Sequence, residues 1–474
     1  MTEGPDNEQW KAMLRAVLGN EAAENIIKSM EEQGFDPSAM GMLPTGAGAP
    51  DFGMVLNQLR SMLAGDPDGP VDWTLAERVA RETLTRSGAD QLTNGEAAEA
   101  KDRLTLASMW LDSVTAVEPV YGPLQAWTRL DWVAHAQSTF RRLTEPVAAN
   151  LGHAFSSAMQ QQISQLPEEL RGLMSGQASQ MMMRMMASVA GMQYGAALAD
   201  LAQHCLGSTD IGLPLVEGAT AALVPTNIAD FGEDLEVDLS EVALYVAVRE
   251  QAHARLFAHH SWLRAYLLDT VAAWARDIRI DMDAVEEQIR GIDIAHMSEA
   301  PDLDLTDVFS PAPTEAQEAV LTQLETILAL IEGWVSVVTE AAVADHLPEA
   351  ARLSEMFIRR RATGSPAETT FGNLVGLELT PRRVREAAEF WRRAGEKGMA
   401  ERDHLWSHPD LLPDSDDLDN PTDHLEESDS ELESEIDSLI ADIFAAEDAG
   451  RAPEGPHEPS PGERDPEDDK DTER

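Results

Sequence analysis

The chain has 474 residues, 43% of them hydrophobic, which exceeds one typical domain length and is ample for a sizeable core. A formal charge of -50 and an isoelectric point near 4.4 argue against nucleic acid and anionic membrane, both of which attract clustered lysine and arginine. One cysteine, Cys205, rules out an intrachain disulfide framework and fits a reducing cytosol.

The N-terminus, Met1-Thr2-Glu3-Gly4-Pro5-Asp6, has neither the basic nor the apolar region of a secretory signal. No uninterrupted apolar stretch reaches the ~18 residues of a membrane span; the nearest, residues 187–206, is broken by Asp200 and His204. A soluble, cytoplasmic protein is expected, with no membrane insertion. Residues 1–50 predict an amphipathic helix led by Trp10 and then a linker over 41–50, rich in Gly, Ala and Pro. A short helix is expected over 52–64 and a turn over 66–70. From Asp72 to about residue 150 the apolar spacing is helical, with Trp110, Trp127 and Trp132 as core-facing anchors. Residues 179–192 hold six methionines (Met181, Met182, Met183, Met185, Met186 and Met192). With Gly191, Gly195 and Ala196 close by, they predict tightly packed core helices rather than a soft-metal site. Cys205, also in an apolar run, predicts a core thiol rather than a nucleophile. The helical pattern fails between residues 207 and 232, where 211–216 and 221–225 flank turn residues and predict two short strands.

The next element carries the chemistry. Ser240 is a candidate N-cap, and residues 242–248 are apolar on every side, so this helix is predicted to be buried. Set into it is Arg249-Glu250-Gln251-Ala252-His253. In H-E-x-x-H two histidines one helical turn apart bind zinc while the glutamate activates the metal-bound water. Here Glu250 and His253 keep their places, but Arg249 stands where the first histidine belongs. A guanidinium is always protonated and has no lone pair for a metal. Val242, Tyr245, Val246, Arg249, His253 and Leu256 fall on one stripe, which takes the ionisable groups into the interior, where they need partners. His259 and His260 can replace the lost ligand only if the helix breaks before Ser261, because on a continuous helix His260 lies about 10 Å along the axis from His253. Solvent-facing histidines at a helix end are the expected reading. Glu250-x-x-His253 also matches half of a di-iron pattern, but the other match, Glu454-x-x-His457, falls near the C-terminus.

A second helix is predicted over 261–276, followed by a loop-rich acidic stretch to about Pro313. Thr314 and Gln317 form a capping box for a long helix over 321–344. Thr380-Pro381 opens another, carrying Phe390 and Trp391. Residues 414–474 hold 24 acids against four bases, so self-repulsion and low hydrophobicity predict a disordered acidic C-terminal tail. Within it residues 435–444 form one amphipathic stretch. The expected organisation is an N-terminal helix and linker over 1–50, a domain over 51–413 and the tail over 414–474.

Together these residues resemble the actinobacterial zincin-like metallopeptidase family, whose members are labelled zinc-dependent metalloprotease or "putative hydrolase". The resemblance covers residues 52–413. It rests on Asp72-Trp73-Thr74-Leu75-Ala76, on the run from Leu206 to Leu215, on the Arg249 helix through Phe257, and on Trp262-Leu263-Arg264, Glu332-Gly333-Trp334 and Leu374-Val375-Gly376-Leu377-Glu378-Leu379. It implies a mainly α, zincin-like helical domain with at most a small β element before the active-site helix. It also implies zinc as the cofactor, Glu250 as general base, His253 as the second metal ligand and Glu332 as the third. Arg249 matches the first-ligand position by place and not by chemistry. A catalytic zinc keeps three protein ligands, so exchanging one for a cation predicts that zinc is absent or weakly held.

The expected function is that of a pseudo-peptidase, which binds a peptide or protein partner without hydrolysing it. The alternatives are an active zinc-dependent hydrolase with a rebuilt metal site, and a helical interaction protein acting through its acidic tail. Without a metal, Glu250 and Glu332 would be two buried carboxylates in mutual repulsion. Arg249 can supply the missing positive charge, so an ion pair with Glu332 or Glu250 is predicted.

Overall fold

The computed structural model describes residues 69–88, 91–164, 177–233, 235–277, 315–375, 377, 382–420 and 424–425. The helix expected at Trp10, the linker over 41–50, the helix over 52–64, the stretch over 278–313, the caps at Thr314 and Thr380-Pro381, and residues 435–444 lie outside these. Within them the fold is mainly helical with one two-stranded sheet, as the sequence predicts.

Local polar chemistry sets several helix starts. Asp72 accepts from Leu75 N to open α1, Trp73–Arg86, and a Thr93–Glu96 capping box opens α2, Asn94–Leu111. After β1, Leu124–Ala126, come α3, Arg129–Ser164, and α4, Gln177–His204. β2, Ala221–Leu223, leads into α5, Pro225–Glu233. Helix α6, Leu239–His259, is capped by Asp238, which accepts from Ser240 N, and not by Ser240. Then follow α7, Ser261–Asp277, and α8, Glu315–Val343. The C-terminal part holds α9, Ala350–Thr363; α10, Pro366–Val375; α11, Val384–Ala394; and α12, Met399–His404.

The sheet corrects one expectation. Strand β2 forms where expected, but the segment at 211–216 is turn and bend, and the partner of β2 is β1 from a region that reads as helical. The two run parallel, Leu124 opposite Ala221, while Gly207 bridges Leu223 from the other side. The tight helix packing expected at Gly191 and Gly195 is present, but the methionines are not all core: Met183 is 57% exposed, Met185, Met186 and Met192 are half-buried, and the side chains of Met181 and Met182 lie outside those described. A Cβ on Gly191 would sit 2.5 Å from Asp72 O, and one on Gly195 2.4 Å from Ala76 O, so only glycine lets α4 close on α1. Trp127 and Trp132 are core residues, whereas Trp110 is half-buried and stacks on His346.

Helices α6 and α8 pack on each other at the centre, with α2, α5 and β2 also against α6 and α11 against α8. By length and composition α8 could cross a membrane, but 83% of its most apolar window is buried within the protein, so it is a core helix. The folded chain continues past Pro413. Leu418 is buried, and Arg383 bonds to Ser415 O and to Asp419. Most of the expected tail, from residue 426 on, lies outside the described residues.

Candidate functional site

Arg249, Glu250 and His253 all sit in the buried half of α6 that the apolar run predicts. Arg249 and His253, one turn apart, face α8, whereas Glu250 is rotated by about 100° and faces β2. Glu332 stands mid-way along α8 and is 1% exposed.

Arg249 Nη2 donates to Glu332 Oε2 at 2.6 Å, so of the two partners expected from the sequence, Glu332 and Glu250, it takes Glu332. The same guanidinium lies over the Phe357 ring, 5.0 Å from its centroid, and Tyr245 stacks on that ring from α6. His253 Nε2 is 3.0 Å from Glu332 Oε1, and its Nδ1 is 3.0 Å from the Arg249 carbonyl. Both ring nitrogens therefore face oxygens.

A second arginine enters from the last turn of α9. Arg361 Nη2 lies 3.0 Å from Glu332 Oε1 but off the hydrogen-bonding direction, a charge contact, while its Nη1 pairs with Glu368 of α10. Burial works against the Glu332 charge, but Arg361, Arg249 and His253 outweigh it and hold this carboxyl well below the usual range. The loop after α4 is shaped around Arg361. Gly212 adopts φ +72°, and a Cβ there would sit 2.2 Å from Arg361 Nη2. The neighbouring Arg360 forks onto Asp210 at 2.8 and 3.0 Å, which ties α9 to the same loop.

Glu250 is engaged elsewhere. Its Oε1 accepts from Ser208 N at 3.0 Å, Ala222 N at 3.3 Å and the Ser208 hydroxyl. Its Oε2 accepts from Thr209 N at 3.2 Å and Thr209 Oγ1 at 2.7 Å. Burial raises the Glu250 pKa, and the donors of Ser208, Thr209 and Ala222 only partly offset it. Its two oxygens are already committed to the loop and the strand.

These residues do not fit zinc. One ligand position holds a guanidinium, both Glu332 oxygens face cationic side chains, and Nε2 of His253 points at Glu332. Among the described residues no three His, Cys, Asp or Glu side chains converge as a metal site. The helix does break at His260, yet His259 turns to Pro119 O and His260 lies against Trp406, so neither replaces the missing ligand. Glu454 and His457 lie outside the described residues. Cys205 is buried, and burial pushes its thiol well above the ordinary value, as befits a core thiol.

Arg361, Glu368, Ser208, Thr209 and Asp210 are absent from the motif reading. Ser208, Thr209 and Asp210 lie inside the run from Leu206 to Leu215, whose clustered hydroxyls and glycines are a legible signal; Arg361, in the string Arg359-Arg360-Arg361, gives none. The cluster is closed to solvent. A cavity of about 440 Å³ lies elsewhere, lined by Trp262, Tyr266, Ile327, Leu330 and Pro409 among others.

A family model described as zincin-like metallopeptidase matches residues 71–425. Among solved structures the chain is similar to one titled "a putative hydrolase with a novel fold", from Chloroflexus aurantiacus, with a TM-score of 0.51 and 20% identity over 76% of this chain and 99% of that one. At that identity the likeness is one of fold. No curated protein matches.

Proposed function

Because this chain belongs to the zincin-like metallopeptidase family, we propose that it keeps the peptidase scaffold without the metal and binds a peptide or protein partner instead of cleaving it. One observation carries this reading: the Arg249 guanidinium occupies the first-ligand position and is bonded to Glu332, the residue that family resemblance makes the third ligand. A charged guanidinium and a divalent cation compete for the same carboxylate, and the guanidinium is covalently present at every moment. The second support is Glu250. A general base has to reach the proton that it removes, and this carboxylate is spent on Ser208, Thr209 and Ala222.

The test has two parts. Protein purified without chelator is analysed for zinc, and a diverse peptide library is passed over the immobilised chain and read by mass spectrometry. The expected result is no stoichiometric zinc, with peptides retained at full length. Stoichiometric zinc together with chelator-sensitive shortening of the peptides would overturn the proposal and establish a rebuilt hydrolase.

A further inference from the structure

We infer that Arg249 and Arg361 together stand in for a divalent cation, and that a zinc site is latent beneath them, opened only when both are removed. The inference deepens the reading given above, which rests on Arg249 alone, by adding a second cation from outside the helix motif.

Around Glu332 two guanidiniums already face one carboxylate, and Arg249, Arg361, Glu332 and Glu368 are 8%, 2%, 1% and 2% exposed. Glu368 takes the other arm of Arg361, while Glu250 is held apart by Ser208, Thr209 and Ala222. A divalent cation added there would meet two fixed guanidiniums at the same carboxylate in a closed interior, which is unfavourable in a low dielectric. The two guanidiniums also divide the carboxylate, with Arg249 on Oε2 and Arg361 at Oε1. Freeing one oxygen is therefore not enough.

Their sources differ. Arg249 comes from α6, whereas Arg361 is delivered by the last turn of α9 past Gly212. The left-handed Gly212 gives Arg361 the room to reach Glu332; any side chain there would meet the guanidinium. The place is thus built for a cation from α9 as well as one from α6.

The same contacts fix what each substitution should do. Arg249→His leaves the Arg361 guanidinium at Oε1, a fixed positive charge that repels zinc from the same carboxylate. Arg249→His with Arg361→Met removes both cations from Glu332, and zinc can take their place with two imidazoles and Glu332 as ligands, a three-ligand set of the kind that zinc accepts.

Four proteins are compared: the unaltered chain, Arg249→His, Arg249→His/Arg361→Met, and Arg249→Met/Arg361→Met as a control that loses both cations and gains no ligand. Each is refolded with and without zinc ion, dialysed against buffered free zinc, analysed for metal and melted. About one zinc per chain is expected in Arg249→His/Arg361→Met alone, with a zinc-dependent rise in Tm or zinc-dependent folding. Uptake by Arg249→His equal to that of the double variant would overturn the role of Arg361. A double variant that folds and takes no zinc, or that remains unfolded with zinc, would overturn the latent site, as would equal uptake by the Met/Met control. Zinc in the unaltered chain would instead overturn the function proposed above, so the two failures are distinguishable.

Discussion

Glu332 meets Arg249, Arg361 and His253, and a depressed pKa gives its contribution to stability a definite sign. Because the folded chain holds it ionised more strongly than the unfolded one does, the stabilisation is present above the unfolded carboxylate value of about 4.3 and is lost as pH falls through the folded value. Glu250 acts in the opposite sense. Its raised pKa costs stability as pH climbs above the unfolded value, since burial disfavours its charge. Glu332→Gln, which strands the Arg249 guanidinium and leaves Arg361 with Glu368 alone, is expected to destabilise by about 3–5 kcal/mol at neutral pH. The gap to the unaltered protein should narrow below about pH 4. Urea unfolding across pH measures both, and a gap independent of pH would show that the Glu332 charge is not responsible. Arg249→Ala is expected to cost less, because Arg361 and His253 remain beside the carboxylate.

At the level of elements, α6 is gripped from several sides and can shift little. Arg255 caps the end of α2 through Ser108 O at 2.7 Å and reaches Val117 O at 3.1 Å, while Glu250 is tied to β2 and Arg249 to α8. Asp403 makes a second knot, accepting from Thr115 Oγ1 at 2.6 Å, Ala116 N at 2.7 Å and Trp334 Nε1 at 2.8 Å, so that α12 is bound to α8 and to the segment after α2. The α1–α4 contact depends on glycine more than on polar bonds. Gly195→Val would drive a branched side chain into Ala76 O and Val79 Cβ, which lie 2.4 and 2.9 Å from even a first carbon. Overpacking of this kind should cost about 1–3 kcal/mol, read as a lower urea midpoint. An unchanged midpoint would mean that the helices separate freely.

For the whole molecule the formal charge of -50 is the dominant long-range term. Self-repulsion opposes compaction and is screened by salt, with a Debye length of about 10 Å at 0.1 M. The melting temperature is therefore expected to rise as sodium chloride is increased from roughly 20 mM to roughly 500 mM. Calorimetry checks this, and a fall with salt would mean that the buried and surface ion pairs outweigh the repulsion. Surface pairs such as Arg359 with Glu355, 73% and 43% exposed, contribute little to that balance.

The sequence by itself determined that α6 is buried, because residues 242–248 leave no polar face to turn toward water. It determined that Arg249 needs a carboxylate, Glu332 or Glu250, with Glu332 offered through the family resemblance; that Glu332 is the one was decided by the packing of α6 on α8. The mainly helical class followed from apolar periodicity. Only the tertiary structure decided the rest. Arg359, Arg360 and Arg361 are the same letter three times, yet one is exposed, one pairs with Asp210 and one is buried on Glu332 and Glu368. Successive helix positions diverge by about 100°, and which of them faces the core depends on how α9 docks, which no local pattern records. The pairing of β1 with β2 joins Leu124 to Ala221 across the whole of α3 and α4, and three-residue strands have too short a period to announce themselves. Glu250 turns away from Glu332 for the same reason: its partners Ser208 and Thr209 are brought to α6 by the path of the chain through space.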